Sequence, residues 1–244
     1  MRLIFVRHGE PDYQRDCLTE NGILQAKSTA ERLKNEPINA VYSSPMGRAM
    51  ETAFYTAENH GLEIRQLPFM HEIDWGDIAT EKSTSDASAT EDVPARLEYD
   101  GHPWTLACKL LTEHPEYAGS SRWVEHPYFR DNRCLTYYRS ISKDLDEFLA
   151  DYGLIRKDSL YECVTERDDT IALFAHGGSG AVLFSHLLNL PFPFVLAGMP
   201  YGVCSVSVIS FRDPVGDQVL PRLELFNDMG HIASFKQERL HFEK

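Results

Sequence analysis

The chain has 244 residues, of which 43% are hydrophobic, and its 24 Lys+Arg against 37 Asp+Glu give a formal net charge of −13. This length and composition predict one large domain with a substantial core, spanning 1–244. No segment approaches the roughly 18 consecutive apolar residues of a membrane span, and the acidic balance argues against general nucleic-acid binding. Anionic substrates remain compatible with this composition, because local arginines decide the charge of a pocket.

The N-terminus and the cysteines favour a cytoplasmic protein. The first residues, MRLIFVRHGEP, place charges and a glycine where a signal peptide needs an apolar run. The five cysteines are scattered and contain no C-x-x-C pair. This pattern predicts reduced thiols rather than a disulfide framework or a zinc site.

Strands and helices alternate along the first sixty residues. An apolar run over 2–6 predicts a buried strand that ends at Arg7-His8-Gly9. Residues 19–34 have helical spacing with Thr19 as the N-cap, and residues 40–42 predict a second strand. Ser44 and Pro45 are then expected to open a helix that ends near Gly61.

The middle of the chain differs in character. Residues 80–92 contain no large apolar side chain and predict a solvated loop, whereas 104–111 and 128–152 predict helices. We therefore expect an insertion or lid at about 80–130. Residues 171–175 predict a buried strand followed by a helix, and 203–211 and 221–226 predict two late strands. The alternation predicts a three-layer α/β/α sandwich with a mostly parallel central sheet and a helical insertion.

Two predicted strands end in the same way, each with a histidine followed by glycine. His8 follows the first strand and precedes Gly9, and His176 follows the strand over 171–175 and precedes Gly177. A single such histidine is more often structural. Because ligands bind at the carboxyl ends of parallel strands, two matching histidines predict a shared site.

Arg7-His8-Gly9-Glu10 resembles the signature of the histidine phosphatase superfamily (phosphoglycerate mutase-like, branch 1 type). Further segments resemble motifs of that family in the same order along the chain: Leu18–Gly22, Ser43–Ala53, Glu72–Gly76, His176–Gly178 and Asn227–His231. Together they span nearly the whole chain apart from the insertion. The ordered set is more specific than any of its members.

The resemblance implies a metal-independent phosphomonoester hydrolase that acts on a small phosphorylated metabolite and needs no cofactor. His8 would be the nucleophile that forms a phosphohistidine, and Glu72 the general acid. Arg7, Arg48 and His176 would bind the phosphoryl group, the arginines in forked geometry. Backbone N–H groups after His176 are expected to open a helix and to add an anion site.

Other candidate roles are less specific. Gln14, Thr19 and Gly177 are candidate substrate contacts, although Thr19 is equally suited to cap a helix. Asp74 and Asp77 are rival acids to Glu72, whose pKa should be raised by Met70, Ile73 and Trp75 through desolvation.

Two alternative functions stay open. One is a cofactor-dependent phosphoglycerate mutase, although the residues after Gly9 depart from the Ser-x-Trp-Asn of mutases. The other is a serine hydrolase in which Ser179 is the nucleophile, Asp213 or Asp217 the acid and His231 the base. The identity of the substrate and the oligomeric state are not determined by the sequence.

Overall fold

The computed structural model describes residues 1–73, 103–119, 121–212 and 214–232. Its strands are β1 (Arg2–Arg7), β2 (Pro11–Asp12), β3 (Cys17–Leu18), β4 (Ala40–Ser43), β5 (Ile64–Gln66), β6 (Leu154–Lys157), β7 (Leu160–Cys163), β8 (Thr170–Ala175), β9 (Val206–Ser210), β10 (Gln218–Val219) and β11 (Arg222–Asp228). Its α-helices are α1 (Glu20–Leu33), α2 (Gly47–His60), α3 (Pro103–Glu113), α4 (Pro127–Arg130), α5 (Arg133–Ala150), α6 (Gly177–Leu188) and α7 (Phe192–Gly198). Short 3₁₀ helices lie at Pro68–Met70, Pro115–Tyr117, Ser121–Glu125 and Gly230–Ile232.

Six of these strands form a central sheet in the order β11-β9-β1-β8-β4-β5. β1, β8, β4 and β5 are parallel to one another. On the other side of β1, β9 pairs antiparallel with β1, and β11 pairs antiparallel with β9. The register pairs Arg7 with Ala175 and Ser43 with Phe174. The three strands β1, β8 and β4 therefore end level with one another, and the predicted mostly parallel sheet is confirmed.

Helices cover both faces of the sheet, as the alternating side chains of its strands require. Ile4, Val6 and Val41 pack with residues of α1 and α2 on one face. Leu3, Phe5 and their neighbours pack on the other face with residues of α3, α5, α6 and α7. The predicted three layers are confirmed.

Two predicted helix boundaries were wrong. α2 begins at Gly47 rather than at Ser44-Pro45, because the Ser44 hydroxyl accepts a hydrogen bond from Met46 N–H at 3.2 Å and makes a turn before the helix. The predicted helix over 128–152 is two helices, since the Asn132 side chain accepts from Cys134 N–H at 2.9 Å and starts α5 anew.

The part of the predicted insertion that the structure describes, 103–119 and 121–130, packs onto the main core. Leu106 and Leu110 of α3 and Phe129 of α4 are fully buried in the core cluster that includes α6 and α7. Residues 80–102, including the predicted solvated loop, lie outside the described residues. A single domain over 1–244 stays a prediction.

Three further observations bear on the sequence predictions. All five cysteines are free thiols. Within the described ranges, no helix has the length and apolar character needed to cross a bilayer. Over the same residues, no three His, Cys, Asp or Glu side chains come together in a way that would hold a metal ion.

Candidate active site

His8 stands immediately after β1 and is almost fully buried. Its Nδ1 lies 2.7 Å from the Gly9 carbonyl oxygen. Because a carbonyl only accepts hydrogen bonds, Nδ1 carries the proton and Nε2 keeps its lone pair. Burial, and next the charge of Arg7, lower the pKa of His8 to about 3. His8 is therefore a neutral imidazole with a nucleophilic Nε2.

His176 follows β8, and its ring centroid lies 5.1 Å from that of His8. Its Nε2 lies 2.7 Å from the Ser44 hydroxyl oxygen, and its buried Nδ1 has no hydrogen-bond partner. Burial, and next the neighbouring His8, lower the pKa of His176 to about 2. The parallel register of β1 and β8 thus brings two neutral histidines together, as the matching strand ends predicted.

Arg7 and Arg48 supply positive charge beside the two histidines. Burial has the largest lowering effect on the pKa of His8 and of His176, and the charges of both arginines lower these pKa values further. Arg7 donates from Nη1 to the Tyr201 carbonyl oxygen at 2.8 Å. The Nε–H groups of both arginines are buried and have no hydrogen-bond partner. Buried N–H groups of this kind are costly, so the site is built to bind an anion.

Glu72 lies at the N-terminus of α6. Its Oε1 accepts hydrogen bonds from the backbone N–H groups of Gly178 at 2.9 Å, Ser179 at 3.2 Å and Ile73 at 2.9 Å. Oε2 accepts only from the Gly178 N–H, at 3.2 Å, and it shares this donor with Oε1. Burial raises the pKa of Glu72, against the effect of these N–H groups and of Arg7. Oε2 is therefore the atom able to hold a proton.

The position of Glu72 corrects one prediction. The N–H groups that follow His176 do open a helix, but those of Gly178 and Ser179 bind the Glu72 carboxylate. Two N–H groups of this helix N-terminus therefore orient Glu72. Met70 and Ile73 are buried beside Glu72, as predicted, whereas Asp74, Trp75 and Asp77 lie outside the described residues.

The three weaker candidates fall in different places. Thr19 is the N-cap of α1, since its hydroxyl accepts from Gly22 N–H at 3.0 Å and donates to Glu10 Oε1 at 2.7 Å. Gln14 is exposed, and its backbone N–H donates to Asp12 Oδ1 at 3.0 Å. Gly177 borders the site: a Cβ there would stand 3.5 Å from the Arg7 guanidinium.

Asp16 is a residue of the site that the sequence analysis missed. Its Oδ1 pairs with Arg48, and its Oδ2 accepts from Gly47 N–H at 2.7 Å. Tyr13 of the same loop lies over the Arg48 guanidinium, 5.4 Å from ring centroid to Cζ. This loop therefore orients Arg48. No sequence signal marked Asp16, because its partners lie 31 and 32 residues further along the chain.

Two buried hydroxyl groups were also missed. Ser44 contacts His176, as described above, and the Thr52 hydroxyl accepts from Gly9 N–H at 3.0 Å while donating to the Arg48 carbonyl. Both lie in the segment Ser43–Ala53 that resembled a family motif. That resemblance was the signal that could have identified them.

The serine hydrolase alternative is not supported by the geometry. Ser179 Oγ is buried without a hydrogen-bond partner. His231 Nε2 lies 3.0 Å from the Cys204 carbonyl oxygen and 3.1 Å from Thr29 Oγ1, so it is committed elsewhere. Of the two candidate acids, Asp213 lies outside the described residues. The Ser–His contact that a triad requires is not formed.

Comparison with known proteins gives a consistent picture. Residues 3–108 match the model of the histidine phosphatase superfamily (branch 1). The chain is 31% identical over 117 residues to phosphoserine phosphatase 1 of Hydrogenobacter thermophilus. The aligned region covers 41% of this chain and 56% of that protein. It is 33% identical over 112 residues to the probable phosphoglycerate mutase GpmB of Photorhabdus laumondii, covering 42% and 52%. The match thus spans about half the length of these curated relatives.

Solved structures share the fold over most of the chain. A phosphoserine phosphatase of Entamoeba histolytica in complex with phosphoserine has a TM-score of 0.59 at 22% identity, covering 95% of this chain and 98% of that one. A mycobacterial glucosyl-3-phosphoglycerate phosphatase has a TM-score of 0.58 at 22% identity, covering 93% and 98%. Residues 3–108 of this chain are thus similar to the histidine phosphatase superfamily (branch 1), and the chain shares its fold with these solved structures.

Proposed function

We propose that this protein is a metal-independent phosphomonoester hydrolase that acts through a phosphohistidine intermediate on a small phosphorylated metabolite. One observation carries the proposal: the neutral His8, with its Nε2 lone pair, is enclosed with two arginines whose buried Nε–H groups have no partner. A nucleophile beside unpaired cationic donors is what phosphoryl transfer requires.

In the first step, His8 Nε2 attacks phosphorus and the P–O ester bond breaks. A proton moves from Glu72 Oε2 to the departing oxygen, so that an alcohol leaves rather than an alkoxide. Arg7, Arg48 and a ring N–H of His176 stabilise the charge on the phosphoryl oxygens. The Nδ1–H bond to the Gly9 carbonyl stabilises the positive charge that develops on the His8 ring.

In the second step, water attacks the phosphohistidine while Glu72 accepts a proton from it. The N–P bond breaks, inorganic phosphate forms and His8 returns to its neutral state. Glu72 serves both steps because burial raises its pKa while backbone N–H groups hold its ionised form in place. The two guanidinium groups supply the positive charge that other phosphatases take from metal ions, which is why we propose that no metal is needed.

The relatives support a small phosphorylated substrate without identifying it. Their names include phosphoserine, phosphoglycerate and glucosyl-3-phosphoglycerate enzymes. We propose water rather than a second hydroxyl as the acceptor, because the residues that follow Gly9 depart from the pattern of mutases. Phosphoserine and 3-phosphoglycerate are therefore the first esters to assay.

The experiment that tests this proposal is a phosphomonoester screen in EDTA, combined with neutral quenching and peptide mass spectrometry. We expect phosphate release and an acid-labile phosphoryl group on the peptide that contains His8. His8→Ala should abolish both, whereas His60→Ala, at the far end of α2, should retain them. Loss of activity in EDTA that magnesium restores would overturn the metal-independent mechanism. Efficient interconversion of 2- and 3-phosphoglycerate with 2,3-bisphosphoglycerate would favour the mutase instead.

A further inference from the structure

A groove adjoins the phosphate site on the side of Arg7 and Gly177. Its cavity volume is about 20 Å³, within a space of about 250 Å³ that is partly open to solvent. Its remaining lining comes from three helices and the loop after α7: Trp104, Ala181, Val195, Leu196, Met199, Pro200 and Tyr201. The groove is therefore walled largely by carbon, and Trp104 and Met199 are the half-buried side chains of that wall.

The groove lies beside the general acid of the proposed function. Gly177 is in its lining, and the next residue, Gly178, donates its N–H to Glu72. In an in-line displacement, the departing oxygen faces away from His8 and toward the acid. The carbon chain on that oxygen is thus directed to the mouth of the groove.

The charge of the groove limits what it accepts. Among the described residues that line it, Arg7 alone is charged, and its Nη1 is bonded to the Tyr201 carbonyl oxygen. A second phosphate or a carboxylate placed there would lose part of its hydration and would find no cation other than Arg7. We propose that the groove binds an apolar carbon group of the leaving alcohol, and that Trp104 and Met199 determine the specificity for this group. This inference rests on the proposed function.

The test uses n-alkyl phosphates from ethyl to hexyl, because their alkoxides have nearly equal basicity and differ in apolar length. Each methylene buried in the groove should raise kcat/KM by roughly two- to fourfold until the groove is filled. Phosphoglycolate, which differs from ethyl phosphate by a carboxylate, should be the poorer substrate of that pair.

Variants then connect the effect to the groove. Trp104→Ala should flatten the dependence on chain length, and Trp104→Phe should restore much of it. Cys108→Ala, at an exposed position one turn further along α3, is the matched control and should keep the wild-type dependence. Met199→Ala should reduce the dependence from the opposite wall.

Binding of alkylphosphonates separates the two proposals, since these compounds are not hydrolysed. A chain-length-dependent inhibition constant that Trp104→Ala removes supports the groove whatever the chemistry at His8. A flat series for both substrates and inhibitors, or a preference for phosphoglycolate, overturns the apolar groove while leaving the proposed function intact. Failure to hydrolyse any ester overturns the proposed function instead.

Discussion

The charge of Glu72 depends on opposing effects of the structure. Burial raises its pKa, while three backbone N–H groups and Arg7 oppose that change. If Glu72 protonates the departing oxygen, Glu72→Gln should lose about 10²–10⁴-fold in rate on an alkyl phosphate. The loss on p-nitrophenyl phosphate should be smaller, since nitrophenolate leaves without a proton. Steady-state rates on both esters measure this difference.

Single-turnover kinetics provide the check on Glu72→Gln, because in the proposed mechanism the same carboxylate activates water in the second step. The His8 phosphoenzyme should still form from p-nitrophenyl phosphate and then persist. Equal impairment of phosphoenzyme formation on both esters would show that another group is the acid, and Asp74 and Asp77 would be tested next.

We expect Asp16 to affect the reaction through Arg48, with which it forms an ion pair. Asp16→Ala removes the acceptor of both Arg48 and the Gly47 N–H. Arg48 is buried, so an unpaired donor on it is costly. We expect kcat/KM to fall by about tenfold or more, with weaker inhibition by inorganic phosphate, because Arg48 loses its orientation. Asp12→Ala, in the same loop, is the control for general loop disruption. Tighter phosphate binding in Asp16→Ala would instead mean that Asp16 competes with the anion for Arg48.

At the scale of the element, the close approach of α6 to the sheet positions both His176 and the amides that hold Glu72. Gly180 permits this approach: a Cβ there would lie under 3.0 Å from Phe5 of β1 and from the Tyr201 hydroxyl. Gly180→Ala should therefore destabilise the protein by about 1–3 kcal/mol and lower activity as α6 shifts. Urea unfolding measures the first effect. Gly119→Ala, with no atom within 4 Å of the new methyl group, should be nearly neutral.

At the scale of the whole molecule, the two buried histidines make stability depend on pH. Their pKa values are lowered to about 3 and about 2, whereas unfolded histidine has a pKa of about 6.5. Below about pH 6.5 the unfolded chain takes up protons that the folded protein does not. Each histidine should therefore reduce the free energy of unfolding by about 1.4 kcal/mol per pH unit as the pH falls.

Comparison of the wild type with His8→Asn and His176→Asn isolates this effect, since all other titrating groups are shared. Urea titrations at pH 7 and pH 5 measure the effect. Between these pH values, each variant should lose about 2 kcal/mol less of its free energy of unfolding than the wild type does. Parallel pH dependences in the wild type and both variants would mean that the folded histidines are protonated like unfolded ones.

Local pattern was enough to predict much of this protein. The apolar runs of β1 and β8, the N-cap at Thr19 and the end of α2 at Gly61 follow from periodicity and capping chemistry, which act over a few residues. The alternation of these elements predicted the parallel sheet, and a parallel sheet brings His8 and His176 to one edge. The two central residues of the site were therefore readable from the sequence.

Tertiary structure decided how the remaining groups of the site are used. Glu72 meets Gly178 across 106 residues of sequence, and Asp16 meets Arg48 across 32. Partners at such distances are selected by the packing of α6, α2 and the loop after β2, and not by spacing along the chain. For the same reason the helix N-terminus after His176, predicted to add an anion site, holds the Glu72 carboxylate. A buried carboxylate needs N–H donors, and the fold brings Glu72 to two that α6 leaves unpaired.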